Sequence, residues 1–271
     1  MRKESSGLMK RIASLMLAAV MAVSVLTVMP ENVNAADYTI GGSGTQTITI
    51  SDTECYYATS DYAWIKFKPA ATGYVTFSAA NASALDNYTN GSWTLFDANK
   101  KQISSQDKFD TSYDQAYMKT NVYGVQKGKT YYLRVLPILG TTITAKYTKV
   151  STKGGAKKSK AKTIKKGKAV KGVITAGSKA SQWYKFKVTK NQYIKISYAA
   201  KTNYAIKMTV YQGNRNIGSV NPSYVSSKTT SQYVVNAKTK KKMKVQAGTT
   251  YYVQVSRYNA NSSGFYTLKW N

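Results

Sequence analysis

Eleven carboxylates, one thiol and no imidazole are what this 271-residue chain brings to covalent or metal chemistry. Without histidine there is no Ser-His-Asp or Cys-His device, no imidazole general base and no histidine-ligated metal. A single cysteine, Cys55, makes neither an internal disulfide nor a thiolate zinc site. The last acid is Asp114, so residues 151–271 hold 25 Lys+Arg and no Asp or Glu. That part alone supplies no carboxylate pair for glycoside hydrolysis and no oxygen cage for calcium. Asp107, Asp110 and Asp114 could pair earlier in the chain, but their stretch DKFDTSYD reads as a polar loop. A Ser-Lys dyad is available in principle, yet Ser and Lys are too abundant here for their co-occurrence to carry information. What remains is non-covalent chemistry by ammonium groups and aromatic rings. No catalytic residue, cofactor or metal ligand is assigned, and the chain reads as a non-enzyme.

The rings and cations sit in segments that alternate with period two. In Trp183-Tyr-Lys-Phe-Lys-Val188, Tyr184, Phe186 and Val188 share one face while Trp183, Lys185 and Lys187 share the other. In Tyr251-Tyr-Val-Gln-Val255, Tyr251, Val253 and Val255 oppose Tyr252 and Gln254. Successive strand side chains point to opposite sides, so each segment has one buried and one wetted face. Thr, Tyr, Val and Ile dominate these segments, with Gly, Asn, Ser and Lys between them, and no helical spacing stands out after residue 36. The wetted rows are the functional material. The candidate ligand-binding residues are Trp183, Lys185, Tyr193 and Tyr252, with Trp64, Tyr132 and Arg134 earlier in the chain. Rings beside cations suit sugar faces, peptide ridges or extended anionic polymers. The competing reading is that the rings pair across strands and the lysine stems lie over them.

The same landmarks occur twice. Trp64-Ile-Lys-Phe67 lies over Trp183-Tyr-Lys-Phe186 at an offset of 119 residues, and Tyr74-Val-Thr-Phe77 lies over Tyr193-Ile-Lys-Ile196 at the same offset. Gly128–Val135 falls on Gly248–Val255, and Trp93-Thr-Leu-Phe96 falls near Met208-Thr-Val-Tyr211. A period near 120 residues is domain-sized. The expected architecture is all-β: two tandem antiparallel β-sandwiches, over 37–150 and 163–271. Residues 151–162, rich in Lys and Gly, are expected to form a flexible linker. Arg2, Lys3, Lys10 and Arg11, the apolar run Ile12–Met29, Pro30 and then Val33-Asn-Ala35 make the three-part pattern of a secretory signal. Cleavage after Ala35 is expected, with no later membrane span, so 1–35 is read as a signal peptide.

The order of these segments resembles the bacterial pre-peptidase C-terminal domain. It runs through Gly172-Val-Ile-Thr, Trp183-Tyr-Lys-Phe, Tyr193-Ile-Lys-Ile, a Val-Tyr strand, Ala247-Gly-Thr-Thr-Tyr-Tyr-Val-Gln-Val255 and Ser263-Gly-Phe-Tyr-Thr-Leu268. The match covers 163–271 and extends more loosely over 37–150. The resemblance implies jelly-roll-like sandwiches of the kind appended to secreted hydrolases, including the collagen-binding domains of clostridial collagenases. Some members of that family bind calcium near the domain start. The second copy here has no acid for that role, and the first offers Asp52, Glu54 and Asp61.

The functional expectation is a secreted binding module that adheres to an anionic cell-wall polymer, a polysaccharide or a matrix protein. The alternative is a structural spacer, or an accessory protein for a separately encoded secreted hydrolase. The export pattern and the dominance of Lys over Arg argue against nucleic acid as the partner, since Lys is a less directional phosphate ligand. The cluster Lys238-Thr-Lys-Lys-Lys-Met-Lys244 is a further basic candidate, or a solvated loop that discourages edge pairing.

Overall fold

Burial alternates residue by residue along most strands. In Ala63–Phe67 the side chains of Ala63, Ile65 and Phe67 are buried, while Trp64 is half-covered and Lys66 exposed. This is the pleat of a strand with one face on a core. The computed structural model describes residues 37–50, 62–81, 90–110, 120–136, 141–151, 154–220, 226–236 and 238–271. The expected signal segment 1–35, Cys55 and the acids Asp52, Glu54, Asp61 and Asp114 lie outside the described residues.

The first half forms β1 (Asp37–Ile40), β2 (Thr45–Ile50), β3 (Ala63–Phe67), β4 (Gly73–Asn81), β5 (Asn90–Asp97), β6 (Asp107–Asp110), β7 (Thr120–Val125), β8 (Tyr131–Leu136) and β9 (Thr141–Lys149). The second half forms β10 (Lys162–Thr163), β11 (Val170–Ile174), β12 (Gln182–Lys187), β13 (Gln192–Tyr193), β14 (Lys195–Thr202) and β15 (Ile206–Gln212). It continues with β16 (Arg215–Val220), β17 (Ser226–Tyr233), β18 (Lys244–Val245), β19 (Thr250–Arg257) and β20 (Gly264–Trp270). The fold is all-β, built as β-sandwiches. One core cluster joins Ile65, Phe67, Leu133 and Leu95 to Val75, Phe77, Tyr123 and Ile143, and so lies between two sheets. A second joins Tyr184, Phe186, Val253 and Met208 to Ile196, Tyr266 and Leu268.

Strand order is the same in both halves. The five-stranded sheets run β1-β3-β8-β5-β6 and β10-β12-β19-β15-β16; the four-stranded sheets run β2-β9-β4-β7 and β11-β20-β14-β17. The paired sequence landmarks therefore fall on matching strands: β3 with β12, β4 with β14, β5 with β15, β8 with β19. The pairing is antiparallel apart from two edge strands, since β1 runs parallel to β3 and β10 parallel to β12. The second half adds a small sheet of β13 and β18.

Two features differ from the sequence expectation. Asp107–Asp110 is strand β6, paired with β5, and not a loop. The Asp107 carboxylate accepts from the Asn121 amide and from the Tyr123 hydroxyl at 3.3 Å, which ties it to the core side of β7. The segment 154–161 is not a free linker. Gly155 exchanges two backbone hydrogen bonds of 2.8 Å with Trp183, Lys158–Lys160 forms a 3-10 turn, and Ala161 is buried. With β10 it extends the open edge of β12, because an unpaired strand edge gains by acquiring a partner.

The halves also touch. Ala176 donates its amide to the carbonyl of Gly124 at 2.8 Å, Gly124 donates to Ser263 Oγ at 3.3 Å, and the rings of Tyr74 and Phe265 lie 5.4 Å apart. Glycine is required at 124, where a Cβ would stand 2.1 Å from the carbonyl oxygen of Ile174.

Candidate functional site

The outer row of the first five-stranded sheet is set by register. Trp64 of β3 faces Arg134 of β8, Lys66 faces Tyr132, and on the other side of β8 Phe96 faces Tyr132. Trp64 lies 5.0 Å from Phe96 and 6.3 Å from Tyr132, both edge-to-face. The guanidinium of Arg134 stands 4.2 Å from the ring centroid of Tyr62 and 4.9 Å from that of Phe96. Its Nε is buried without a hydrogen-bond partner. Lys100 closes the cluster, with Nζ 4.7 Å from Trp64 and 5.6 Å from Tyr132. It comes from a turn in which Asp97 Oδ1 accepts from the amides of Asn99 and Lys101, with Lys100 at φ 53°. That left-handed residue turns the chain back over the sheet.

The second five-stranded sheet repeats the arrangement with different donors. Trp183 faces Gln254, Lys185 faces Tyr252, and Tyr211 faces Tyr252 from β15. Trp183 and Tyr211 are 5.4 Å apart. Tyr211 donates its hydroxyl to Gln254 Oε1 at 3.1 Å, and Gln254 donates its amide to Ser181 Oγ at 3.2 Å. Here the closing cation is Lys158. Its Nζ lies 4.9 Å from Tyr252 and 5.8 Å from Tyr211, and it donates to Asn214 Oδ1 at 2.9 Å and to the carbonyl of Gly213. The chain's own lysine therefore occupies the aromatic face in each half. Cation–ring attraction of this kind is worth about 0.5–1 kcal/mol at exposed sites.

Tyr193 stands elsewhere. It lies on β13, opposite Lys244 of β18, and its ring meets that of Tyr233 at 6.4 Å and 84°. Lys242 Nζ is 4.4 Å and Lys195 Nζ 5.5 Å from the Tyr233 centroid. Buried Ile194, Val234 and Val245 alternate with these residues and hold the segments on the core. Tyr193 is 51% exposed and Tyr233 39% exposed, unlike the half-covered tryptophans. The Lys238–Lys244 cluster is a turn and strand rather than a detached loop. Asn236 Oδ1 accepts from the amides of Lys238 and Thr239, and Lys242 bridges Val235.

Of the seven candidates, the structure gathers Trp64, Tyr132 and Arg134 on one face and Trp183, Lys185 and Tyr252 on its counterpart, and leaves Tyr193 in a third place. Sequence reading passed over Tyr62, Phe96, Lys100, Tyr211, Lys158 and Tyr233, and reached Lys242 only within the basic run Lys238–Lys244. Phe96 and Tyr211 stood in the matched Trp93–Phe96 and Met208–Tyr211 segments, which was a usable signal. The loop lysines gave none. The buried phenols are structural: burial raises Tyr123 and Tyr266 well above the ordinary tyrosine value, and Tyr266 shares a 2.9 Å hydroxyl contact with Tyr184. Among the described residues no group of three His, Cys, Asp or Glu is placed to hold a metal ion.

No family model matches this sequence, and no curated protein does. Among solved structures, the chain is similar to the pre-peptidase C-terminal domain of collagenase from Bacillus anthracis, at 17% identity and a TM-score of 0.31. That likeness covers 41% of this chain and 93% of the other. It is also similar to a tandem of CBM22 domains from Paenibacillus barcinonensis, at 10% identity, TM-score 0.23, covering 84% and 93%. The CUB1-EGF-CUB2 domains of rat MASP-1 match at 7% identity, TM-score 0.26, covering 86% and 99%. Likenesses at these levels transfer no residue role.

Proposed function

We propose that the chain is an exported, non-catalytic binding protein that adheres to an anionic extracellular polymer. It is built as two tandem modules over 37–150 and 163–271, distantly similar to pre-peptidase C-terminal domains. The observation that carries the reading is the second half, where strand scaffolding displays lysines and rings outward and the sequence offers no acid to neutralise them. Charge of one sign held on a rigid surface raises the local concentration of an oppositely charged partner. A cleaved signal over 1–35 places the protein outside the cell in this reading.

The test is retention of the full chain on purified cell wall, acidic glycan and collagen across a salt series. Retention on the anionic materials should fall steeply with salt, whereas retention indifferent to salt rejects the mechanism. The spacer reading has one observation in its favour, the placing of Lys100 over Trp64 and of Lys158 over Tyr252. It requires that no anionic material retain the chain at low salt.

A further inference from the structure

We propose that Tyr193, Lys195, Tyr233, Lys242 and Lys244 form a binding site for an acidic polysaccharide. The Tyr193 ring stacks on a sugar and the lysines hold its carboxylate or sulfate groups. The inference rests on the polyanion reading above and gives it a place and a ligand class.

Four observations converge on this patch. The first is exposure. The rings of Trp64 and Tyr252 each carry an intrachain lysine from outside their sheet, whereas Tyr193 is 51% exposed and, among the described residues, no lysine stands over its ring. Tyr258 is as exposed, at 53%, but it leans on Tyr204, and among the described residues no cation stands over it. The second is charge. Lys195 and Lys242 both lie within 5.5 Å of one ring, in a half whose sequence contains no carboxylate. The third is rigidity. Tyr193 and Lys244 are register partners, Lys195 and Tyr233 are register partners, and Met243 and Val234 are joined by a 2.9 Å backbone bond. The fourth comes from the repeat. The counterpart of Tyr193 in the first half is Tyr74, which is packed against Phe265 between the halves. The free ring belongs to the half with no acids, on the added β13–β18 pair.

The rings decide the ligand class. A polymer of phosphates alone would be satisfied by lysines almost anywhere in this half, and would gain nothing from an open phenol. A pyranose offers a flat apolar face to stack on the ring, with acidic substituents at its rim.

The experiment is calorimetric titration of the full chain with a defined oligogalacturonate and, separately, with linear polyphosphate. Tyr193→Ala should weaken the oligogalacturonate about fivefold, the lower end of what stacking a nucleobase on an aromatic side chain contributes. It should leave polyphosphate nearly unchanged, and Tyr193→Phe, which keeps the ring, should bind both as the parent does. Equal loss for both probes on Tyr193→Ala, or no loss for either, overturns the site while leaving the polyanion reading in place. Binding of polyphosphate without binding of oligogalacturonate does the same. Binding of neither probe by the parent chain overturns both.

Discussion

Replacing Lys242 by Gln removes one of three cations placed to meet a polyanion at the Tyr193 patch, the others being Lys195 and Lys244. The ring stays, and so does the Asn236 turn that positions the segment, because that turn is closed by backbone amides. The magnitude follows from counterion release. Each cation that neutralises a charge on a flexible single strand contributes about 0.7 to the slope of log affinity against log salt. Three contacts give a slope of about −2, so affinity should fall about 18-fold between about 50 and 200 mM salt. With Lys242→Gln the slope should shrink to about −1.4 and the loss to about 7-fold. Titrating a labelled oligogalacturonate at four salt concentrations measures both numbers. Lys101→Gln, an exposed lysine of the first half, is the control and should leave the slope unchanged. A slope that is the same for the parent and Lys242→Gln, or one that Lys101→Gln reduces equally, would show diffuse charge attraction and refute a localised contact set.

Three further outcomes test the scaffold. Tyr184→Phe should destabilise the second sandwich by about 1–3 kcal/mol, because the buried Tyr266 hydroxyl loses its 2.9 Å partner. The double change with Tyr266→Phe should cost less than the two singles together, read from denaturant midpoints. Gly124→Val forces a side chain onto the Ile174 carbonyl and should separate the halves, turning one calorimetric transition into two. Alkaline pH should destabilise the fold. Burial raises Tyr123 and Tyr266 above their unfolded value of about 10, so the native state keeps protons the unfolded state has lost. The stability they contribute is complete below that value and is lost as pH rises toward their native values, which circular dichroism across a pH series will follow.

Period-two alternation carried the fold class into view because it reports burial directly. Trp183-Tyr-Lys-Phe places Tyr184 and Phe186 inward and Trp183 and Lys185 outward, and β12 has that arrangement. What alternation does not report is which edges are paired. The parallel strand β10 is two exposed residues and gains its order from β12, while β1 buries Tyr38 and Ile40 yet carries no signal of its parallel partner β3. The strap 154–161 was invisible for the same reason. Its lysines have no apolar spacing, and its order comes from two backbone hydrogen bonds to Trp183 and from Lys158 reaching Tyr252. Asp107–Asp110 looked like a loop because its polar residues pair along an edge of the sheet.

Identifying a wetted face is not the same as identifying a free one, and the site turns on that difference. Sequence patterning correctly put Trp64, Trp183, Tyr132 and Tyr252 on outer rows, but it could not see Lys100 folded over Trp64 and Tyr132 or Lys158 over Tyr252. A lysine three residues past a strand and another in the segment between the halves have no spacing that announces their target. Coverage of this kind is chemically equivalent to ligand binding: the rings attract a cation, and the nearest one is intramolecular, at a much lower entropic cost than an external partner. The same attraction at Tyr233 has a different result. There the Tyr233 ring gathers Lys195 and Lys242, and Tyr193 stands edge-to-face beside it, 51% exposed. An aromatic cluster that has consumed its cation is packing. One that keeps an open ring beside its cations, in a half whose sequence has no carboxylate, has charge left to offer to an anionic ligand.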